Sequence, residues 1–141
     1  MRHAEKDATS QSEIIRIVDD TTGAPVTTVT FETASLALWY RVAGGAKVAI
    51  TAATLAAVDS AYSAGGIIHI SDGYYRLDPP NAAYATAGMT VFGGSVPDCV
   101  VVGTSTQINP PANMTHIGGH KWTVAEDSDP RMRATIAVPA P

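Results

Sequence analysis

The segment IIHISDGYYRL, residues 67–77, contains the clearest structural signal in the sequence. Two runs rich in β-branched and aromatic residues, 67–70 and 74–77, flank the turn residues Ser71-Asp72-Gly73. Asp-Gly adopts the positive backbone angles of a tight turn at low cost, so the segment predicts a β-hairpin. Two prolines, Pro79 and Pro80, follow the second run and end the strand, since proline cannot donate a hydrogen bond to a sheet.

Further strand signals lie on both sides of this hairpin. Upstream, the turn at 19–23 and the pair Gly44-Gly45 separate runs of β-rich sequence. Strands are predicted at residues 14–18, 26–31, 36–42 and around Val48 and Ile50. In the run 36–42, period-two alternation places Leu36, Leu38, Tyr40 and Val42 on one face. Downstream, residues 89–92 and 99–102 are expected to pair with each other across the connection Gly-Gly-Ser-Val-Pro-Asp.

Two segments favour short helices. Within 51–64, Leu55, Val58 and Tyr62 are three and four residues apart, Thr51 can cap the start, and glycines follow the end. Residues 81–87 can form one or two further helical turns. With about seven strands, the sequence predicts a mainly β protein: an immunoglobulin-like or transthyretin-like antiparallel β-sandwich with one or two short helices.

The length of 141 residues is that of a single domain. Residues 1–12 are polar and of mixed charge, and are expected to form a flexible N-terminal arm. Residues 13–103 are expected to form the sandwich core. Residues 104–141, rich in proline, glycine and small polar residues, are expected to form a C-terminal extension with a short final strand at 133–138.

Composition argues against several classes of function. The net charge is −4 and the nine basic residues are scattered, so no basic patch for nucleic acid is expected. No apolar run approaches the ~20 residues that cross a bilayer, and residues 1–14 do not resemble a signal peptide. The sequence therefore predicts a soluble protein with no membrane partner. The single cysteine, Cys99, cannot form an internal disulfide and is expected to be a small buried side chain.

No motif for catalysis or cofactor binding stands out. His116 and His120 have a spacing that could hold zinc, but two glycines between them disfavour a helix and no third ligand is near. The acidic residues do not follow the spacing of a calcium loop; these are Asp19, Asp20, Glu126, Asp127 and Asp129. No nucleophile elbow and no phosphate-binding glycine loop is present. We expect no cofactor, no metal and no enzymatic activity.

Aromatic residues and the C-terminal extension suggest a contact surface. Neighbouring residues on a strand point to opposite faces, so one member of each pair Trp39-Tyr40 and Tyr74-Tyr75 faces outward. An outward aromatic side chain implies a covering partner, which could be another subunit, the extension or a sugar. Residues 103–132 are expected to contribute the main contacts, although they could instead fold back on their own sandwich. The candidate assembly interface consists of Trp39, Tyr75, Ile108, Met114, Ile117 and Trp122.

About two-thirds of the chain resembles a family of small virion proteins of tailed bacteriophages. The resemblance lies in four motifs: DDTTGAPVT at 19–27, the strand and glycine turn at 39–45, IT at 50–51 with TLAAVDSAYSAGG at 54–66, and GYYRLD at 73–78. It implies a non-enzymatic sandwich module that serves as a head decoration, neck or tail accessory subunit. Where the family has Leu-Asp-Val-Pro-Asp-Ala, this chain has LDPPNA at 77–82, and the residues after Gly103 have no counterpart in the family.

The resemblance also sets the expected partners and location. The chain would be made in the cytoplasm of a host bacterium and built into the virion. There it would form a homo-oligomer and contact a major capsid, neck or tail protein. The alternative is a receptor-binding or glycan-binding module displayed on the particle, with outward tryptophan or tyrosine rings as the sugar platform.

Overall fold

The computed structural model describes residues 2–111, 116–117 and 120–121. The protein is mainly β, and two five-stranded sheets pack face to face, which confirms the predicted β-sandwich. The chain divides into two compact units, Met1–Pro110 and Pro111–Pro141. In the second unit, β11 (His116–Ile117) and β12 (His120–Lys121) form an antiparallel hairpin.

The first unit contains both sheets. Its strands are β1 (Arg2–Glu5), β2 (Glu13–Asp19), β3 (Ala37–Arg41), β4 (Lys47–Ile50), β5 (Ala53–Thr54), β6 (Gly66–Ser71), β7 (Tyr74–Leu77), β8 (Gly88–Ser95), β9 (Cys99–Val102) and β10 (Thr104–Asn109). A 3-10 helix at Asn81–Tyr84 lies where one or two helical turns were predicted. The first sheet has the order β1-β10-β8-β3-β4 and the second β5-β6-β7-β2-β9. Neighbouring strands are antiparallel except in the pairs β1–β10 and β5–β6.

Alternate residues of the strands fill the space between the sheets. Leu38 and Tyr40 point inward from β3, as their period-two pattern predicted. Burying side chains of this size contributes roughly 1.5–3 kcal/mol each. The largest side chains in this core are Ile15, Ile17, Tyr75, Leu77, Tyr84, Phe92 and Ile108.

The predicted β6–β7 hairpin is confirmed, and its turn has the expected geometry. Asp72 and Gly73 have φ angles of 52° and 81°, in the left-handed region that Asp-Gly tolerates. The turn after β2 is also stabilised locally. The Asp19 carboxylate accepts hydrogen bonds from the N–H groups of Thr22 and Thr21, both at 2.8 Å, and these bonds hold the pKa of Asp19 below its ordinary value.

The helix predicted within 51–64 is not formed. β5 occupies the start of this segment, and turns and irregular backbone follow as far as Gly65. The Arg76 guanidinium accounts for the difference. It donates hydrogen bonds to the backbone carbonyls of Val58 and Ser60, both at 2.7 Å. Those carbonyls would otherwise serve the internal bonds of a helix. A contact between residues distant in sequence therefore overrides the helical spacing.

The strand predicted at 26–31 is also wrong. Pro25 forms an isolated bridge with Val18, and residues 26–31 do not pair with any strand. A side chain supplies the missing partner: the Tyr75 hydroxyl donates to the carbonyl of Val26 at 2.7 Å and accepts from the N–H of Val29 at 3.2 Å. This pair of bonds ties the segment to the core, where Val29 is buried.

β8 and β9 do not pair with each other as predicted. β8 lies between β10 and β3 in the first sheet, whereas β9 pairs with β2 at the edge of the second. Glycine permits the chain to cross between sheets, because a Cβ atom on Gly103 would lie 2.1 Å from the carbonyl oxygen of Phe92. The turn at Gly103, between β9 and β10, is therefore a corner at which the chain passes from the second sheet to the first.

Both ends of the predicted core extend further than expected. Residues Arg2–Glu5, expected in a flexible arm, form β1 and pair in parallel with β10. β10 itself lies in the predicted extension, yet Thr106 and Ile108 are buried. The reason is a side-chain contact, since the Arg2 guanidinium donates to the buried Glu13 carboxylate at 2.7 Å and anchors β1. The final strand predicted at 133–138 lies outside the described residues.

Candidate functional site

The predicted interface residues do not share one surface. Tyr75 and Ile108 have exposed fractions of 0%, so both belong to the core and cannot contact a partner directly. The outward member of the tyrosine pair is Tyr74, whereas Trp39 is the outward member of its own pair and is partly exposed. Met114 and Trp122 lie outside the described residues, and for Ile117 only the backbone position in β11 is described.

Trp39 borders a shallow open groove at the corner where the chain passes from β9 of the second sheet to β10 of the first. Gly93 and Gly94 of β8 line it beside the tryptophan, and Thr104 and Ser105 at the start of β10 line it on another side. The remaining lining residues are Val91, Phe92, Val101 and Gly103. The groove therefore combines the Trp39 ring, glycine backbone and two hydroxyl groups with several apolar residues.

Two protein groups already contact the Trp39 ring. A Cβ atom on Gly93 would lie 2.5 Å from the Trp39 ring, so the ring packs directly on the glycine backbone. The Lys47 ammonium lies 5.0 Å from the ring centroid, a cation–π distance. A sugar ring that stacks on the face under Lys47 would have to displace the Lys47 side chain.

A larger exposed surface lies on the outer side of the second sheet. β2, β7 and β9 point alternate residues away from the core, and on these three strands those residues are mostly aliphatic or aromatic. We call this surface the apolar face. Its most exposed side chains are Ile14 (49%), Tyr74 (43%), Val100 (47%) and Val102 (50%). Arg16 and Val18 lie between them.

The chain covers one part of this outer side itself and leaves the apolar face uncovered within the described residues. The loop 55–64 is held over the β6–β7 end by Arg76, which pairs with the buried carboxylate of Asp78 at 2.7 Å. Asp78 also accepts hydrogen bonds from the Ser12 hydroxyl and the N–H of Ser63. This network is structural, because every polar atom in it bonds to another part of the same chain.

Arg16 is the cation at the centre of the apolar face. Its guanidinium lies 5.1 Å from the centroid of the Tyr74 ring, and β2–β9 pairing places it opposite Val102. The Arg16 Nε atom is buried and has no hydrogen-bond partner among the residues that the structure describes.

The groups that could support chemistry are dispersed. Within residues 2–111 and the described β11–β12 positions, no three His, Cys, Asp or Glu side chains come close enough to bind a metal ion together. The Cys99 thiol is partly exposed rather than fully buried as predicted. Burial and the neighbouring aspartates Asp19, Asp20 and Asp98 raise its pKa, which disfavours the reactive thiolate.

Sequence reasoning missed the apolar face, although a signal for it was present. β2 contains Ile-Ile-Arg-Ile-Val and β9 reads Cys-Val-Val-Val, so apart from Arg16 both runs are apolar on inward and outward positions alike. Strands with one solvated face usually alternate apolar and polar residues. Continuous apolar runs in strands of a two-layer sandwich therefore indicate an outer face that needs a cover.

None of the helices in the described part of the chain is long and apolar enough to span a membrane. In comparisons of the whole chain with known proteins, no family model, no curated protein and no solved structure matches it.

Proposed function

We propose that the protein is a non-enzymatic structural subunit of a tailed-bacteriophage particle, a head decoration, neck or tail accessory protein that acts through protein–protein contacts. The observation that carries the proposal is the apolar face. Uncovered patches of this kind are unusual on proteins that work alone, and they mark sites of association.

The composition of the apolar face suits a protein partner. Four side chains of the size of valine or larger are about half exposed on adjacent strands, and each loses water when a flat protein surface covers it. Arg16 adds one directional contact among apolar neighbours, and arginine is enriched at interface centres. The motifs at 19–27, 39–45, 50–51, 54–66 and 73–78, which resemble phage virion proteins, favour a viral particle as the setting.

The alternative function, a displayed glycan-binding or receptor-binding module, would use the Trp39 groove. The groove has an aromatic ring and hydroxyl groups, which are the groups that bind sugars. The Trp39 ring, however, already contacts Gly93 and Lys47. We therefore favour the structural role over the glycan-binding role.

Particle composition tests the proposal. Phage particles would be purified on a density gradient from an induced or infected culture of the bacterium that produces this chain. We expect the chain to co-purify at a constant ratio to the major capsid protein, measured by quantitative mass spectrometry. Recovery of the chain only from the unassembled fraction would contradict the proposal.

A glycan array with the purified chain separates the two functions. The structural role predicts no sugar binding that depends on Trp39. Specific binding that Trp39→Ala abolishes and Lys47→Ala strengthens would favour the glycan-binding module instead.

A further inference from the structure

The charges around the apolar face are separated along the strands. β2 ends at the turn 19–23, and β7 and β9 begin after turns at 72–73 and 96–98, so all three turns lie at the same end of the second sheet. Each of these turns carries an exposed aspartate: Asp20, Asp72 and Asp98. Arg16 lies on the other side of the pair Val18–Val100.

This arrangement is complementary to itself. Along β2, Arg16 and Asp20 are four residues apart, or about 13 Å at the rise of a strand. A two-fold axis that lies in the interface, parallel to the sheet and perpendicular to β2 along the line from Val18 to Val100, exchanges the two positions. In a face-to-face pair, Arg16 of each copy would then lie opposite the aspartate end of the other copy.

We propose that a second copy of this chain docks on the apolar face, with Val18 and Val100 at the two-fold axis and Arg16 facing the Asp20 end of its partner. The inference deepens the proposed function and rests on it for its setting in a particle. An isologous interface needs one patch that complements itself, and this face has apolar residues at its centre and opposite charges on either side.

A different protein partner would need its own matching carboxylate, whereas a second copy already carries one at the required spacing. Asp20 is exposed, and its backbone N–H donates to the carbonyl of Asp98 at 3.1 Å, which fixes the two turns side by side. Two acidic groups are therefore presented together at the end of the face. This is the argument for the second copy over an unrelated protein.

The first test measures the mass of the purified full-length chain by sedimentation across a range of concentrations. The native chain should form a dimer, and Val100→Lys should weaken the dimer at least roughly tenfold, because it places two like charges at the axis. Val48→Lys is the matched control, since Val48 is 43% exposed on β4 of the other sheet. Circular dichroism would confirm that both variants are folded.

The second test exchanges the charges. In Arg16→Glu and in Asp20→Lys, like charges face each other twice across the dimer, so each variant alone should be largely monomeric. Mixed one to one, the two variants should form a heterodimer, because Glu then faces Lys at one contact and Arg faces Asp at the other. Asp20 is preferred to Asp98 for this exchange, since Asp98 has a φ of 63° that strains a lysine.

A native chain that is monomeric at all concentrations would overturn the inference, as would a dimer that Val100→Lys leaves intact or that Val48→Lys weakens equally. Failure of the two charge variants to combine would exclude the two-fold arrangement. These results are independent of particle composition. A monomer that still co-purifies with particles would refute the inference alone, and a dimer absent from particles would refute the proposed function alone.

Discussion

Glu13 is a buried carboxylate that receives hydrogen bonds from three separate parts of the chain. The donors are Arg2 of β1 at 2.7 Å, Tyr84 of the 3-10 helix at 2.5 Å and Thr106 of β10 at 2.9 Å. Burial and the adjacent Glu13 carboxylate raise the pKa of Tyr84, so its hydroxyl is a donor at neutral pH. One side chain thus joins the two sheets.

Replacing the Glu13 carboxylate should lower the free energy of unfolding. Glu13→Ala leaves the buried hydroxyls of Tyr84 and Thr106 without an acceptor, and we expect a loss of about 2–4 kcal/mol in the free energy of unfolding, measured by urea denaturation. Glu5→Ala, at an exposed position of β1, serves as the control and should change it by less than about 0.5 kcal/mol. Equal losses in the two variants would contradict the role assigned to Glu13.

Asp78 should make stability depend on pH. Burial acts to raise its pKa, but hydrogen bonds from Arg76, Ser12 and the N–H of Ser63 outweigh burial and lower it below the ordinary value. Because the folded-state pKa is the lower one, this stabilisation is complete above the unfolded value of about 3.9 and is lost as pH falls through the folded value. The native chain should therefore exceed Asp78→Asn in unfolding free energy at neutral pH, by about 2–4 kcal/mol, and the difference should shrink below about pH 4.

Urea titrations of both chains at several pH values between 7 and 2 check this expectation. Glu32→Gln, which changes an exposed carboxylate away from the apolar face, is the control and should cost less than about 0.5 kcal/mol at neutral pH. A difference between the native chain and Asp78→Asn that is constant with pH would show that the loss has another cause.

At the scale of elements, the sequence predicted correctly those strands and turns whose conformation depends on neighbouring residues. The β6–β7 hairpin follows from Asp72-Gly73 and the buried face of β3 from its alternation, and both are confirmed. The segment 51–64 has helical spacing, but its conformation depends on Arg76, which lies beyond the next hairpin strand. No local pattern contains that information, because the competing hydrogen bonds come from another strand.

The assignment of strands to sheets likewise depends on close approaches that only glycine permits. The chain turns from β9 into β10 at Gly103, beside the backbone of Phe92 in β8. Sequence reasoning treated this glycine as the end of the core, whereas it is the corner through which the core continues. β8 and β9 are both strands, as predicted, but they lie in different sheets and do not pair with each other.

Gly103→Ala should therefore be far more damaging than a glycine substitution in an open turn. The new Cβ atom would lie 2.1 Å from the Phe92 carbonyl oxygen, a backbone atom that cannot move aside cheaply. We expect a loss of about 3 kcal/mol or more. Gly23→Ala is the comparison: Gly23 has a φ of 74° and open space around it, so alanine there should cost about 1 kcal/mol from backbone strain alone. Thermal unfolding measures both losses. A melting temperature that Gly23→Ala lowers as much as Gly103→Ala does would contradict the role assigned to Gly103.

At the scale of the whole molecule, the two ends of the first unit complete the same sheet. β1 and β10 are adjacent although about 100 residues separate them in sequence, and β10 inserts between β1 and β8. Parallel pairing between distant segments carries no local signal, which explains why a flexible arm and an irregular extension were predicted instead. The core is therefore closed only when residues 104–109 are present.

Truncation should reveal this dependence. A chain that ends at Gly103 loses β10 and with it the partner of β1, the buried Ile108 and one donor to Glu13, so we expect it not to fold cooperatively. A chain that ends at Pro111 keeps all ten strands of the two sheets and should unfold in a single transition, followed by circular dichroism during heating. If the chain ending at Gly103 also melted cooperatively, β10 would be an accessory to the sandwich rather than part of its core.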